Sequence, residues 1–240
     1  MKQTEGRHTL LHGAVILEGE KEWVHMEADQ PLLILSSAFS GGGWRKGKHI
    51  VNRHVKKGYD EADPINETAI WLRKRGWDPE ETVALLTAAW VEQGRIVEEE
   101  DSTGCVAAIV TAGLSNAARA GVDGPVYRRC KGAGTINTIL LIDGELTPAA
   151  MVNAVIMATE AKTAALQDIK AQDAMGRGAT GTTTDTIVVA STQRRKDKFL
   201  HEYAGAASPL GRLIGLSVYR ATREALLQTG RLIGEEWPTT

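Results

Sequence analysis

Between residues 178 and 186 the chain reads Gly178-Ala-Thr-Gly-Thr-Thr-Thr-Asp-Thr186, five threonines around one carboxylate, Asp185, directly ahead of an apolar run. So many hydroxyl donors and acceptors exceed the needs of a turn, and flanking elements that hold such a segment favour a ligand site over a solvated loop. Upstream, Asn153, Glu160 and Lys162 interrupt a stretch of Ala, Val, Ile and Met. Asn153 and Glu160 are two helical turns apart and share a face, where a carboxylate could move a proton and Lys162 could balance its charge; an exposed helical face would read the same way. Ser36 and Ser37 end another apolar run and are followed by Gly41, Gly42 and Gly43. That sequence either offers backbone N–H groups to an anion or carboxamide or makes a flexible turn. Asn52-Arg-His54 supplies a general acid or base in His54, although a lone histidine is more often structural. Two small-residue clusters, Val110–Gly121 with Thr111, Ser115 and Asn116, and Gly132–Asn137, permit close backbone approach by a ligand. Ser36–Gly43 lacks P-loop spacing, and neither small-residue cluster carries a dinucleotide fingerprint. His8, His12, His25, His49 and His201 share no metal-ligand spacing, so no metal is expected.

The elements that must position these residues follow from periodicity. Residues 14–17, 23–26 and 32–35 read as three short strands, the first two joined by a polar turn with a central glycine. Asp63 before Pro64 marks a helix start for 64–75, ended by Gly76, and Asp78-Pro79 repeats the signal for a second helix through Val83, Leu85, Leu86 and Trp90, giving a helical hairpin. Residues 95–100 and 105–110 flank the turn Asp101–Gly104 and read as an antiparallel pair, with 135–142 as a further strand. Thr147-Pro148 opens a long helix to about Ile169, buried through Val152, Val155, Ile156 and Ala158. A strand at 186–190 and a last helix from Ser208-Pro209 toward Gly230 complete the chain. The pattern predicts an α+β fold, a single domain over 1–240 with a mixed, largely antiparallel sheet covered by helices, and residues 1–13 as a flexible lead-in; a four-layer αββα sandwich is the alternative.

The composition excludes several classes. The chain has 240 residues, 42% hydrophobic and 24% charged, as in ordinary globular proteins and unlike disordered ones. With 28 basic against 30 acidic residues the net charge is −2, which gives no general attraction to nucleic acid or anionic lipid. Two cysteines, Cys105 and Cys130, fit unpaired thiols in a reducing compartment. Without an apolar leader or membrane-length run, the expected location is the cytoplasm. The short basic run Arg194–Lys198 is read as a solvated loop.

Six segments in register, Leu35–Gly43, Asn52–Val55, Val110–Gly121, Gly134–Thr138, Met157–Lys162 and Ala179–Asp185, resemble the adenosylcobinamide amidohydrolase family, and the resemblance runs in order from about Leu35 to Gly215. It implies hydrolysis of the amide joining the aminopropanol or nucleotide-loop arm to the corrin ring of adenosylcobinamide or related cobamides, giving adenosylcobyric acid in B12 salvage. Cobalt then enters with the substrate and no resident cofactor is expected; a homo-oligomer is compatible. Amide hydrolysis needs a nucleophile, an oxyanion holder and a proton for the leaving amine. Under this resemblance Glu160 or His54 activates water, or Ser37 or one of the threonines 182 to 184 attacks directly. Lys162 and the N–H groups of Gly41–Gly43 hold the oxyanion, and Asp185 orients a partner. Asn52, Thr111, Ser115, Asn116, Asn137, Asn153, Thr180, Thr182 and Thr184 meet the amide-fringed corrinoid. A corrinoid carrier without chemistry and a nucleotide-dependent transferase are the rival readings.

Overall fold

The computed structural model describes residues 2–123, 134–195 and 199–228; Cys130, the start of the Gly132 cluster, Lys196–Lys198 of the basic run and the expected end of the last helix near Gly230 lie outside them. In chain order the strands are β1 (Lys2–Gln3), β2 (Gly6–Leu10), β3 (Val15–Gly19), β4 (Trp23–Ser36), β5 (Gly43–His54), β6 (Thr82–Thr87), β7 (Arg95–Asp101), β8 (Gly104–Ala112), β9 (Ala117–Ala118), β10 (Ile136–Asp143), β11 (Glu145–Leu146), β12 (Gly181–Thr182), β13 (Thr186–Ser191) and β14 (Leu200–His201). The helices are α1 (Pro64–Arg73), α2 (Pro148–Asp168) and α3 (Pro209–Gln228). Ten strands form one sheet in the order β1-β7-β8-β10-β13-β4-β3-β2, with β5 along the other side of β4 and β6 beyond it. Within it β5–β6 and β10–β13 are parallel and the other ladders antiparallel, as expected for a mixed, largely antiparallel sheet. Residues 2–3 and 6–10, expected as a loose lead-in, are paired into this sheet.

The sheet curls until its two halves share a core. Val24, Met26 and Ile34 of β4, Ile50 of β5 and Leu85 of β6 meet Ile96, Ile109, Ile139 and Val188 there. The outer faces of β8, β10 and β13 are covered by α2 and α3, and α1 packs Leu72 against Val51 and Ala84 on the far side. A helix–sheet–sheet–helix layering therefore arises from one continuous α+β sheet.

Local chemistry explains where the expected elements form and where they change. Asp63 caps α1 by accepting from the Asn66 N–H at 3.1 Å, and Thr147 caps α2 by accepting from the Ala150 N–H at 3.1 Å. Asp78 caps as well, accepting from the Glu80 N–H at 2.9 Å, but the turn it opens lasts only through Glu81. The expected second helix is instead strand β6, because Val83 and Leu85 enter the inner core while Ala84 packs outward, a period of two with both faces buried. The strands expected at 23–26 and 32–35 are one, β4, whose polar interruption at Asp29–Pro31 is absorbed where the ladder to β5 shifts register between Glu27 and Leu32. A proline at such a bulge removes no ladder donor. Helix α2 buries a narrow alanine face, Ala150, Ala154, Ala158, Ala161 and Ala165, and this places it close against the sheet. Val152 and Ile156, expected inside, are 48% and 50% exposed.

Beneath α1 lies an aromatic cluster. His25 stacks on Trp77 at 4.0 Å and shares a hydrogen bond with His49 at 3.0 Å between Nε2 and Nδ1. Burial, with a smaller contribution from His49, lowers the His25 pKa from 6.5 to about 3. The unfolded chain therefore binds the extra proton between pH 6.5 and 3, so this contribution to stability is complete above pH 6.5 and declines as pH falls toward 3. At pH 5.5 the loss is about 1.4 kcal/mol. In urea unfolding between pH 7.5 and 5.5, His25→Gln is expected to lack that part of the wild-type decline; an identical decline would remove the assignment.

Candidate active site

Five segments meet at one rim of the curled sheet: the ends of β4, β5 and β8 and the starts of β10 and β13. Their polar residues bond across the two halves. The Asn52 amide donates to Thr111 Oγ1 at 2.8 Å; the Asn137 amide donates to Asn52 Oδ1 at 2.8 Å and to the Leu86 carbonyl at 3.1 Å. Thr135 Oγ1 donates to the Thr184 carbonyl at 2.7 Å, and the Asn116 amide donates to Thr183 Oγ1 at 2.7 Å. Asn52, Thr111 and Asn137 are at most 1% exposed, so their side chains hold the rim together rather than facing a ligand.

On the helix side of this rim a cavity of about 190 Å³ is lined by Ser37, Ile136, Thr138, Ala158, Thr159, Lys162, Asp185, Thr186 and Ile187. Lys162 Nζ pairs with Asp185 Oδ2, with side chains only 12% and 18% exposed. The other carboxylate oxygen accepts from Thr182 Oγ1 at 2.5 Å, the Thr182 N–H at 3.1 Å and the Ile136 N–H at 3.2 Å. Every donor comes from a strand end or from α2, so the pair is fixed in position. Gly181 makes this possible: a Cβ there would stand 2.3 Å from Asp185 Oδ2 and 2.8 Å from Lys162 Nζ. Ser37 is clamped to β13, its N–H donating to the Ile187 carbonyl and its Oγ accepting from the Ile187 N–H, both at 3.0 Å. The Ser37 hydroxyl proton remains available to the cavity.

Of the expected catalytic residues, the structure thus joins Ser37, Lys162 and Asp185. Thr182 and Thr184 stand beside them, but Thr182 donates its hydroxyl proton to Asp185 and Thr184 donates its own to the Gly134 carbonyl at 2.7 Å. Thr180 Oγ1 accepts from the Ala120 N–H at 2.9 Å, tying the threonine segment to the loop that carries Ser115 and Asn116. Glu160 is exposed and is absent from the cavity lining, as is Asn153. At about 100° per residue, Glu160 stands some 200° around the helix from Lys162. Thr159, three residues before Lys162, occupies the face that Glu160 was expected to share. Sequence reasoning passed over Thr159 and Thr138, whereas Thr186 belonged to the expected threonine segment; Thr138 carried a signal as a lone hydroxyl between Ile136 and Leu140 on the helix-facing side of β10. His54 lies on the sandwich side of the rim, its Nδ1 2.9 Å from the Ala89 carbonyl oxygen and its ring stacked on Trp90 at 4.6 Å. Gly41–Gly43 form the β4–β5 turn: Gly41 and Gly43 have φ of +72° and +84°, and a Cβ on Gly41 would meet the Thr82 carbonyl oxygen at 2.6 Å.

Exposed apolar side chains lie on the same, helix-covered side of the sheet as the cavity. Trp44 pairs in register with Leu35, which packs on the helix-side core, and is 49% exposed. Val152 and Ile156 precede the cavity-lining Thr159 by seven and three residues on α2, so the three form one stripe along the helix. Among the described residues no helix is long and apolar enough to cross a membrane.

Known proteins are similar to this sequence. Residues 7–233 match the family CbiZ, adenosylcobinamide amidohydrolase. An adenosylcobinamide amidohydrolase of Methanosarcina mazei is 31% identical over 210 residues, 82% of this chain and 94% of that one. One from Halobacterium salinarum is 34% identical over 160 residues, 65% of this chain and 63% of that one. An uncharacterized protein of Methanocaldococcus jannaschii is 29% identical over 214 residues, covering 79% and 81%. With residues 7–233, nearly its whole length, matching the family and a relative 31% identical over 82% of it, the chain belongs to the adenosylcobinamide amidohydrolase family of amide-cleaving enzymes.

Proposed function

We propose that the protein hydrolyses the amide bond between the corrin ring and the aminopropanol or nucleotide-loop arm of adenosylcobinamide or a related cobamide, giving adenosylcobyric acid for coenzyme B12 salvage. The observation that carries the reading is the Lys162–Asp185 pair beside Ser37 in a cavity too small for a corrin. Ligand pockets for whole drug-sized molecules run to about 300–1,000 Å³, so a side arm enters here and the ring stays outside. The ring lies on the apolar surface of Trp44, Val152 and Ile156, which accounts for the exposure of those side chains.

Ser37 is the nucleophile: it lines the cavity beside Lys162, whereas Thr182 and Thr184 already donate their hydroxyl protons elsewhere. Its Oγ adds to the amide carbon, and the Lys162 ammonium, held by Asp185, stabilises the oxyanion. The C–N bond breaks as the seryl proton is relayed to the leaving amine; water then cleaves the acyl ester and restores Ser37. Cobalt takes no part beyond arriving with the substrate.

The deciding experiment incubates the purified protein with adenosylcobinamide, without ATP, and analyses the products by mass spectrometry. Adenosylcobyric acid and free amino alcohol are expected; tight binding without product would replace this reading with a carrier. Trp44→Ala is expected to raise KM about tenfold at similar kcat, the loss of one aromatic contact outside the reacting centre. An unchanged KM would move the ring elsewhere.

A further inference from the structure

His12 has no metal-binding partner at short sequence spacing, yet the fold supplies two. Glu100 and Cys105 are opposite residues of the β7–β8 ladder, and His12 is carried to them by the turn between β2 and β3. One ligand atom from each residue lies within 4.8 Å of the others, and His12 Nε2 is 3.1 Å from Glu100 Oε1. Ligands around a tetrahedral zinc stand roughly 3.3–3.6 Å apart, given bond lengths of about 2.0–2.3 Å. Closing the remaining gap needs about 1 Å of movement from His12 and Glu100, whose side chains are 54% and 45% exposed.

The turn that presents His12 is built in an uncommon way. Leu11 and His12 both adopt left-handed backbone, φ 50° and 55°, although neither is glycine. Such conformations persist where the surroundings fix them. Here Leu11 is buried and its N–H donates to Glu98 Oε1 of β7 at 3.0 Å, which fastens the turn to the strand that bears Glu100.

We propose that His12, Glu100 and Cys105 form a binding site for a divalent transition metal of borderline softness, zinc foremost, with water as the fourth ligand. The set of one imidazole, one carboxylate and one thiolate matches that metal class and disfavours magnesium and calcium, which take oxygen ligands. Binding replaces the His12–Glu100 hydrogen bond and releases the Cys105 thiol proton to solvent, forming one metal–sulfur bond. The role is structural. Cys105 is 4% exposed and is the second residue of β8, whereas Thr111 at the active rim lies roughly 20 Å along the same strand, at about 3.3 Å per residue.

The test uses the full chain, chelator-treated and kept reduced, titrated with Co²⁺ as a spectroscopic probe and with Zn²⁺ in thermal unfolding. One equivalent of cobalt should produce a thiolate-to-metal charge-transfer band in the near ultraviolet. Zinc at 100-fold its dissociation constant should raise Tm by roughly 5–10 °C. Both signals should vanish in His12→Asn, which suits the left-handed backbone, and in Cys105→Ser, and persist in Cys130→Ser. Should Cys105→Ser fail to fold, His12→Asn on the exposed turn decides alone. A wild-type protein without the band, or a band and Tm shift that survive His12→Asn, would overturn the proposal.

Discussion

Lys162→Met is expected to lower kcat for adenosylcobinamide hydrolysis by about 10²–10³, the range for removing one preorganised oxyanion partner. KM should stay within a few-fold, because the proposed pose leaves the ring outside the cavity. Asp185→Asn should fall into the same range, since the neutral amide no longer holds the ammonium that it pairs with in the native protein. The double variant should be little worse than either single one, because residues acting as a unit do not add. Glu160→Gln, on a different side of α2, should retain near-normal turnover. If Lys162→Met retained it and Glu160→Gln lost it, chemistry would have to be moved from the cavity to the exposed side of the helix.

Asn137→Leu should cost about 3 kcal/mol of stability without touching the reacting groups. Its amide donates to both Asn52 Oδ1 and the Leu86 carbonyl; with Asn137 at 0% and Asn52 at 1% exposure, the Asn52 oxygen would be left without water as a substitute partner, and the half-buried Leu86 carbonyl would lose its donor. Each buried orphan costs about 1–3 kcal/mol. For a chain of this length the corresponding fall in Tm is roughly 6–12 °C. A loss below about 1 kcal/mol by urea unfolding would mean that water or a rotated Asn52 replaces the lost donor. Because Asn52 lies on β5 and Asn137 on β10, the same variant tests whether the sheet's two halves are locked at this rim.

The elements with local signals were legible in the sequence. The capped starts of α1 and α2, the turn at Asp101–Gly104 and the apolar strand at 186 each announce themselves within a few residues. Strand β6 was not legible, since a genuine cap at Asp78 precedes it and burial on both faces mimics a helix core. Nor was the continuity of β4, because its polar middle looks like a loop until the register shift is seen. At the site, Ser37, Lys162 and Asp185 could be named from residue type, but their meeting depends on long-range pairing. Glu160 shows the cost of judging by chemistry alone: it is only two positions from Lys162, yet the helical turn puts them on different sides. The amide-bearing residues Asn52 and Asn137 looked like ligand contacts for the same reason that they serve as rivets: both roles require paired donors and acceptors in a tight space.

The split partnering of β4 has a kinetic consequence. Its first half pairs with β3, a neighbour in sequence, and its second half with β13, so Ser37 is clamped by a residue 150 positions later. The first pairing can form as soon as the early chain emerges, whereas the second must wait for most of the protein. A nascent or truncated chain ending before β13 can therefore hold a folded amino-terminal meander, yet its serine has neither clamp nor cavity. The Ser37 clamp is therefore expected to form late, only once β13 has paired between β10 and β4.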